Sequence, residues 1–305
     1  MNMLLVDSGE DDSWLAELAR HLPDFDVRSS VGDVDPAAVT HVAMWRLPDE
    51  QLAAMPNLEA ICTMGAGFDH LDLDALPDVP IVRLVDPAMA NDIALYVLSW
   101  VIHFQRGFDQ FSANQTAATW RGDVVPVFQR DYTVGVFGSG AIGQVVLDTC
   151  AHHGFATLGW SRSNHDRPLN QFFTDCDLVV DLVPLSSATR GVIGAGELAA
   201  LGDGVLINVG RGATVDTDAL LGALDGDLRA AVLDVFDVEP LPADSPLWSH
   251  DKVIVTPHIA GRSDPMTAAP IIAASIAELR SGSLPAATIQ RSGMLKQRSP
   301  KAPSA

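Results

Sequence analysis

The chain has 305 residues, of which 48% are hydrophobic, and it carries a formal net charge of −20 at neutral pH. This length is sufficient for two domains with separate buried cores. The strong negative charge disfavours nonspecific binding to nucleic acid or to an anionic membrane surface. The three cysteines, Cys62, Cys150 and Cys176, are widely spaced, so the sequence predicts neither a disulfide framework nor a metal site.

The first residues resemble neither a targeting signal nor a membrane anchor. Their short apolar run has no basic segment before it, unlike a secretory signal peptide. The longest apolar stretch, residues 93–104, is too short to span a bilayer. We therefore expect a cytoplasmic protein.

The first hundred residues alternate apolar runs with polar stretches of helical character. Runs that predict buried strands occur at residues 3–6, 41–45, 58–63 and 81–85. A helix is predicted at residues 12–21, and this alternation is typical of a parallel sheet covered by helices. The segment 88–114 predicts one long helix with little polar surface, buried between domains or at a subunit contact.

A second alternating set of elements begins near residue 132. It predicts strands at residues 133–137, 156–160, 178–183, 205–209, 230–236 and 253–256, and helices at 141–153, 195–201 and 216–224. Six strands with helical crossovers fit a doubly wound dinucleotide-binding domain. A last helix at 265–281 returns the chain to the first domain, and the Ser-, Pro- and Lys-rich tail at 290–305 is predicted to be disordered.

The sequence therefore predicts an α/β protein with two doubly wound domains. Residues 1–98 and 266–289 form a flavodoxin-like substrate-binding domain. Residues 99–265 form a Rossmann dinucleotide-binding domain.

A glycine-rich loop follows the first strand of the second set. Gly138 permits a tight turn, Gly140 lets a pyrophosphate approach the backbone, and Gly143 lets the next helix pack closely on the strand. The predicted cofactor-binding residues of this loop are Gly138, Ser139, Gly140, Ala141, Ile142 and Gly143. The alternative is an ordinary glycine turn in an α/β domain.

The strand after this loop ends at Ser161, Arg162 and Ser163. An NAD-selective site usually has an acidic residue here, which binds the ribose hydroxyls. A guanidinium group and hydroxyls suit a 2′-phosphate instead, so the sequence predicts NADP(H) as the preferred cofactor, with NAD(H) possible. The alternative is that Arg162 is a solvated loop residue.

Three polar residues follow later strands at the sheet edge where open α/β sheets bind ligands: Arg211, Glu239 and His258. Together they suit reduction of a 2-oxoacid. Arg211 would bind the substrate carboxylate, His258 would protonate the keto oxygen, and Glu239 would orient the His258 ring. Each of them taken singly is also a common structural residue of a loop.

Four motifs occur in an order that resembles the D-2-hydroxyacid dehydrogenase family: the glycine loop and residues 208–212, 234–240 and 256–258. The resemblance covers nearly the whole chain except its last dozen or so residues. It implies that Arg211, Glu239 and His258 match the family's catalytic residues. It also implies that cofactor is contacted by Val183, Pro184, Leu185, Val209, Gly210, Asp234 and His258.

The resemblance implies a substrate loop in the first domain, and Gly65, Ala66 and Gly67 match it. Trp45 is predicted to line a small substrate pocket, although a core position is nearly as compatible with the sequence. Residues 44–46, 64–67, 160–163 and 239–248 are most similar to the bacterial glyoxylate/hydroxypyruvate reductase A branch of the family. A small 2-oxoacid substrate and a homodimer are therefore expected.

Two other functions remain compatible with the sequence. One is a 2-hydroxyacid dehydrogenase with a different or larger substrate. The other is a dinucleotide-binding scaffold without turnover, which would have no need for Arg211, Glu239 and His258 together.

Overall fold

The computed structural model describes residues 2–7, 11–31, 34–45, 47–69, 71–163 and 165–290. The chain forms two compact units. One contains the residues up to Asp86 together with those from Ser263 onward, and the other is Pro87–Arg262. The predicted boundary at residue 98 differs from this division, because it would cut a continuous helix that belongs to the second unit. The predicted disordered tail lies, apart from residue 290, outside the described residues.

The regular elements of the described residues alternate between strand and helix in both units. The strands are β1 (Asn2–Asp7), β2 (Phe25–Ser29), β3 (His41–Met44), β4 (Ala60–Thr63), β5 (Ile81–Val82), β6 (Thr133–Phe137), β7 (Ala156–Trp160), β8 (Leu178–Asp181), β9 (Val205–Asn208), β10 (Ala230–Leu233) and β11 (Val253–Val255). The α-helices are α1 (Asp12–His21), α2 (Asp49–Ala53), α3 (Pro87–Gln105), α4 (Phe108–Thr116), α5 (Ala141–His152), α6 (Leu169–Thr174), α7 (Ala195–Leu201), α8 (Thr217–Asp225) and α9 (Pro265–Arg280).

The first unit is built on a five-stranded parallel sheet with strand order β2-β1-β3-β4-β5. This is the flavodoxin-like order, which confirms the predicted fold class. Strand β2 was not predicted, because its sequence places Asp26 and Arg28 among apolar residues. The two side chains form an ion pair of 2.8 Å on this edge strand.

Helices α1 and α9 pack together in the core on one face of this sheet. The Asp11 carboxylate caps α1 by accepting a hydrogen bond of 3.0 Å from the Ser13 amide, and Asp264 caps α9 in the same way. Trp14 and Leu18 of α1 share a buried cluster with Ile272 of α9. Capping thus determines where both helices begin, and apolar burial holds them against the sheet.

The second unit contains a six-stranded parallel sheet with strand order β11-β10-β9-β8-β6-β7. This confirms the predicted doubly wound sheet and its six strands. The connection from β6 leads to β7 on one side, and the later strands are added on the other side. The strand order therefore reverses between β6 and β8, and open α/β sheets bind ligands outside the carboxyl ends of such strands.

The central strands β8, β9 and β10 are buried at every residue. Continuous apolar runs of this kind are typical of parallel strands covered on both faces. One face is covered by a cluster that includes Phe137, Phe172 and Phe173. In contrast, the ends of these strands carry the buried polar residues Asp181 and Asn208, followed by Asp234 directly after β10.

The prediction of one long helix at 88–114 is wrong, because the chain forms α3 and α4 with a break between them. Gly107 at the break has a φ of +69°, in the left-handed region that glycine adopts without strain. Leu95 and Ile102 of α3 are 61% and 38% exposed, so the helix is not buried all round within this chain. In the described part of the chain, no helix has the length and apolar character needed to cross a membrane.

Two glycine-to-alanine changes should have opposite effects on stability. At Gly107 the left-handed backbone disfavours a Cβ, so Gly107→Ala should lower the free energy of unfolding by about 1 kcal/mol. Gly222 lies inside α8, and a Cβ there would meet nothing within 4 Å. Gly222→Ala should therefore raise the free energy of unfolding by about 0.5–1 kcal/mol. Chemical denaturation of both variants measures the difference, and equal effects would contradict the assigned break.

Candidate active site

The glycine loop after β6 is packed against the loop after β8. Gly138 has a φ of +106°, and a Cβ on it would lie 2.7 Å from the carbonyl carbon of Leu182. A Cβ on Gly143 would collide with the carbonyl oxygen of Gly138. These two glycines therefore allow the strand, the turn and α5 to pack without side chains between them.

The space beside Gly140 is open, in contrast to its two neighbouring glycines. A Cβ built on Gly140 would meet no atom within 4 Å. Gly140 is also the N-cap of α5, and it has no side chain with which to cap the helix. The first turn of α5, including Ala141 and Ile142, thus has backbone N–H groups suited to an anion such as a pyrophosphate. This arrangement fits a dinucleotide.

The loop after β7 carries the residues predicted to select the cofactor. Arg162 and Ser163 are exposed, and Ser161 is partly exposed. The nearest following carboxylate, Asp166, is engaged in a two-point ion pair with Arg167, with distances of 2.8 and 3.0 Å. His165 stacks on Trp160 with 4.8 Å between ring centroids. The loop therefore presents a guanidinium and hydroxyl groups, while its first acidic residue is already paired.

Arg211 follows β9 in a tight turn. Its backbone carbonyl accepts hydrogen bonds from the Asn208 side-chain amide at 3.0 Å and from the Thr214 hydroxyl at 2.5 Å. One guanidinium nitrogen, Nη1, donates to the Gly210 carbonyl at 2.7 Å. A Cβ on Gly212 would collide with the backbone of Phe236, so this turn packs directly against the chain after β10.

Glu239 and His258 form the pair predicted from the sequence. His258 Nδ1 lies 2.8 Å from Glu239 Oε2, and both side chains are partly exposed. The other carboxylate oxygen of Glu239 accepts from the Phe236 amide at 2.9 Å. Because an ionised carboxylate only accepts, Nδ1 of His258 carries the hydrogen and Nε2 is the nitrogen left for chemistry.

The loop that carries His258 is held by Asp234. The buried Asp234 carboxylate accepts from the Thr256 hydroxyl at 2.6 Å and from the amides of Ile259 and Ala260 at 2.9 Å each. Its backbone carbonyl accepts from the His258 amide at 2.8 Å. The carboxylate of Asp234 is thus used by the protein's own donors, and the predicted nicotinamide contact stays a prediction.

One residue of this network, Tyr96, was not identified from the sequence. The Tyr96 hydroxyl lies 2.7 Å from the Thr256 hydroxyl, which in turn donates to Asp234. Burial raises the pKa of Tyr96, so this phenol remains a neutral donor. Tyr96 lies on α3, 160 residues before Thr256. No local pattern connects residues so far apart in the chain.

The remaining predicted cofactor residues lie in the loops after β8 and β9. The Val183 amide donates to the Asp181 carboxylate at 3.0 Å, and the Val209 amide donates to the Asp181 backbone carbonyl at 3.2 Å. Val183 and Val209 are buried, whereas Leu185 is partly exposed and Pro184 is exposed. The loop after β8 borders the point where the strand order reverses, and the loop after β9 lies next to it.

The predicted substrate residues of the first unit lie together after β3 and β4. The Trp45 ring covers Gly65 so closely that a Cβ there would collide with it. The Gly65 carbonyl accepts from the Thr63 hydroxyl at 2.7 Å, and the Met64 carbonyl accepts from the Ser263 hydroxyl at 2.7 Å. Ala66 and Gly67 follow as a partly exposed turn. Trp45 is 43% exposed, so it is not a core residue of this unit.

No group of three or more His, Cys, Asp or Glu residues that could hold a metal ion occurs among the residues with described positions.

Comparison with known families agrees with this geometry. Residues 98–260 match the NAD binding domain of D-isomer specific 2-hydroxyacid dehydrogenases, and residues 17–92 match the catalytic domain of the same family. The chain belongs to the D-isomer specific 2-hydroxyacid dehydrogenase family. It is therefore an NAD(P)-dependent enzyme that interconverts a 2-oxoacid and a 2-hydroxyacid.

Individual relatives cover nearly the whole chain. A glyoxylate/hydroxypyruvate reductase A from Citrobacter koseri is 36% identical over 88% of this chain and 91% of its own length. A D-isomer specific 2-hydroxyacid dehydrogenase from Xanthobacter autotrophicus, solved with NADPH and MES, is 37% identical over 94% of this chain and 98% of its own, with a TM-score of 0.88.

A third relative is an NADPH-dependent glyoxylate/hydroxypyruvate reductase from Sinorhizobium meliloti, solved with NADP and sulfate. It is 30% identical over 95% of this chain and 98% of its own, with a TM-score of 0.87. The similarity extends over both domains of these proteins, as the predicted family membership requires.

The open space at Gly140 leads to a prediction for dinucleotide binding. Gly140→Ala should fold as stably as the parent protein, because a Cβ there meets no atom of the chain. It should nevertheless weaken NADPH binding by about tenfold or more, since the methyl group would occupy the space of the phosphates. Gly143→Ala is the contrasting variant, and it should lose stability because its Cβ collides with the Gly138 carbonyl. Titration calorimetry and thermal denaturation measure the two effects, and unchanged NADPH affinity in Gly140→Ala would contradict the assignment.

Proposed function

We propose that this enzyme reduces a small 2-oxoacid of the glyoxylate or hydroxypyruvate type to the 2-hydroxyacid, with NADPH as the preferred cofactor. The observation that carries the proposal is the 2.8 Å contact between Glu239 and His258. The segment that leads to Glu239 also packs against the Arg211 turn. A protonated imidazole and a guanidinium are the two groups that reduction of a 2-oxoacid needs from the protein.

His258 acts as the proton donor to the keto oxygen. Glu239 holds Nδ1, and the Phe236 amide holds Glu239, so the ring has one orientation and Nε2 presents the proton. In the reverse reaction, the same nitrogen accepts the proton from the 2-hydroxyl group.

Arg211 binds the substrate carboxylate. A guanidinium forms two parallel hydrogen bonds with a carboxylate, which fixes both the position and the orientation of the substrate. The bond from Nη1 to the Gly210 carbonyl restrains this side chain before substrate arrives. An ordered guanidinium loses less conformational freedom on binding than a mobile one.

The cofactor supplies the hydride, and the chain supplies the binding loops. Gly138, Ser139, Gly140 and the first turn of α5 hold the pyrophosphate, and the loops 183–185 and 209–210 line the nicotinamide side. Open space at Gly140 and close packing at Gly138 support this assignment.

NADPH is favoured over NADH at the loop after β7. No acidic residue occurs at positions 161–163, where a carboxylate would bind the ribose hydroxyls and repel a 2′-phosphate. The Arg162 guanidinium would pair with that phosphate. The NADPH and NADP found in the structures of the Xanthobacter and Sinorhizobium relatives support this preference.

A small substrate is supported by the first unit and by the relatives. We assign the loop Gly65, Ala66 and Gly67 to the substrate, with its backbone N–H groups as donors, and Trp45 to the wall of the substrate pocket. The Citrobacter and Sinorhizobium relatives are named for the reduction of glyoxylate and hydroxypyruvate.

A homodimer is part of the proposal. Leu95, Ile102 and Phe108 on α3 and α4 are exposed apolar side chains of the second unit, and a second copy would remove them from water. Analytical ultracentrifugation of the purified protein measures the mass directly.

The proposed activity is tested by following NADPH and NADH oxidation with glyoxylate, hydroxypyruvate, pyruvate and phenylpyruvate. We expect consumption of NADPH with glyoxylate or hydroxypyruvate, and a lower kcat/KM with NADH. Turnover restricted to phenylpyruvate would indicate a larger pocket. Cofactor binding without any turnover would favour a scaffold and overturn the proposal.

Replacement of His258 should remove the proton donor without disturbing the backbone. His258 has a φ of +54°, and asparagine tolerates this left-handed conformation, so His258→Asn is the suitable change. We expect kcat to fall by about 100- to 10,000-fold while the dissociation constant for NADPH stays nearly constant. His250→Asn, at a histidine that pairs with Asp225 instead, is the matched control and should keep its activity.

Replacement of Arg162 should affect the two cofactors differently. Arg162→Ala should raise the KM for NADPH by about tenfold or more, because a charged hydrogen bond to the 2′-phosphate is lost. The KM for NADH should change little. Arg130→Ala removes the same charge from a position that stacks on Phe128, and it should leave both KM values unchanged. Equal losses with both cofactors in Arg162→Ala would argue against the 2′-phosphate contact.

A further inference from the structure

Asp181 is a buried acidic residue whose role the proposed function does not explain. It ends β8, its side chain is completely buried, and it lies between Phe137 on β6 and Asn208 on β9 in the strand register. No ion pair to it occurs within the described ranges. An ionised carboxylate in such a place is costly unless it is neutralised or fully hydrogen-bonded.

The Asp181 carboxyl group connects two loops of the site. One oxygen, Oδ1, accepts from the Val183 amide at 3.0 Å, in the stretch assigned to the cofactor. The other, Oδ2, is in hydrogen-bond contact with the hydroxyl of Thr214. That hydroxyl also lies 2.5 Å from the backbone carbonyl oxygen of Arg211. The Thr214 hydroxyl oxygen therefore makes two close contacts, one with Asp181 Oδ2 and one with the Arg211 carbonyl oxygen.

These two oxygen–oxygen contacts determine where the hydrogens of the Asp181 carboxyl group and the Thr214 hydroxyl must lie. Two close oxygen–oxygen contacts require two hydrogens, but the Thr214 hydroxyl supplies only one and the Arg211 carbonyl supplies none. If Asp181 were ionised, the Thr214 hydrogen would go to the carboxylate. The lone pairs of Oγ1 would then face the Arg211 carbonyl. If Asp181 is protonated, it donates to Thr214, Thr214 donates to Arg211, and both contacts contain a hydrogen.

We propose that Asp181 is a positioning residue that holds the Arg211 turn through Thr214, and that it does so in its protonated form. The inference rests on the proposed role of Arg211 as the group that binds the substrate carboxylate. Ionisation of Asp181 turns the Thr214 hydroxyl away from Arg211 and leaves the Arg211 carbonyl with the amides of Asn208 and Thr214. The turn then shifts, and substrate binding weakens.

The surroundings of Asp181 agree with this assignment. Burial raises the pKa of Asp181 to about 7, against the smaller opposing effects of the Thr214 hydroxyl and the Val183 amide. The groups that face it from β6, from β9 and from the two loops are Phe137, Asn208, Thr214 and Val183, and none of these titrates. The hydrogen-bonded link from Asp181 through Thr214 to Arg211 is therefore complete at pH values below the pKa of Asp181. It is lost as the pH rises through that pKa.

The decisive variant is Asp181→Asn. An asparagine amide donates to Thr214 and its carbonyl accepts from Val183, so it reproduces the protonated acid at every pH. The probe is the dissociation constant of oxamate, an unreactive analogue of pyruvate, measured with saturating NADPH between pH 5.5 and 8.5. The two proteins differ only at residue 181, so the ratio of the two dissociation constants isolates the effect of Asp181.

We expect the dissociation constant of oxamate for the parent protein, divided by that for Asp181→Asn, to be close to one at acidic pH. It should rise to about two- to tenfold at alkaline pH, the range that corresponds to one hydrogen bond. Thr214→Val should weaken oxamate binding at acidic pH, and Thr214→Ser should restore it. A flat ratio, or equal behaviour of the Val and Ser variants, would overturn the proposal.

An infrared titration tests whether the Asp181 carboxyl group is protonated, and it needs neither turnover nor substrate. The carbonyl band of a protonated carboxyl group should appear in the difference spectrum between the parent protein and Asp181→Asn, and it should vanish as the pH rises through about 7. Absence of that band at acidic pH would show an ionised Asp181. A titrating band in a protein that reduces no 2-oxoacid would instead count against the proposed function while leaving the position of the proton intact.

Discussion

The site in the second unit depends on close contact between backbone loops at the carboxyl edge of a parallel sheet. Gly138 touches the loop after β8, and Gly212 touches the chain after β10. At both positions a Cβ would occupy the place of main-chain atoms. The loops that carry Arg211, Glu239 and the proposed dinucleotide contacts are thereby held together through backbone contacts.

Buried polar side chains at the ends of the strands complete this arrangement. Asp181, Asn208 and Asp234 are each at most 1% exposed. Asp181 and Asp234 form hydrogen bonds with neighbouring loops, and Asn208 forms them with the turn that follows its own strand. Their bonds satisfy backbone amides and carbonyls that would otherwise be buried without partners. The apolar strands form the core. The polar residues at the strand ends hold the loops in place by hydrogen bonds. A preorganised site of this kind needs little rearrangement when charge develops on the substrate.

Both sheets, and the features with strong local sequence patterns, could be predicted from the sequence. Apolar runs predicted ten of the eleven strands found in the described part of the chain, and the spacing of three glycines predicted the turn before α5. The pair formed by Glu239 and His258 was predicted from chemistry and family resemblance. Strand β2 was missed because an edge strand with Asp26 and Arg28 lacks a continuous apolar run. The break at Gly107 was missed because apolar residues continue on both sides of it.

The residues that hold the site were harder to predict than the residues proposed to act in it. Tyr96, Thr214 and Asp181 act through contacts between distant parts of the chain, and nothing in their immediate neighbours in sequence distinguishes them. An aspartate at the end of an apolar strand looks like the beginning of a loop. Only the three-dimensional arrangement shows that its carboxyl group is shared between two loops.

The position of β7 at the rim of the six-stranded sheet has a consequence for how such enzymes diversify. Because β7 is an edge strand, the residues that follow it border the sheet on one side only, and Arg162 and Ser163 are exposed. Substitutions at Arg162 and Ser163 would change the charge at this edge of the sheet without replacing a buried core residue. With Arg162 proposed to bind the 2′-phosphate, preference for one dinucleotide over the other would then depend on an exposed edge of the sheet, whereas the loops at the centre of the sheet are packed closely against one another.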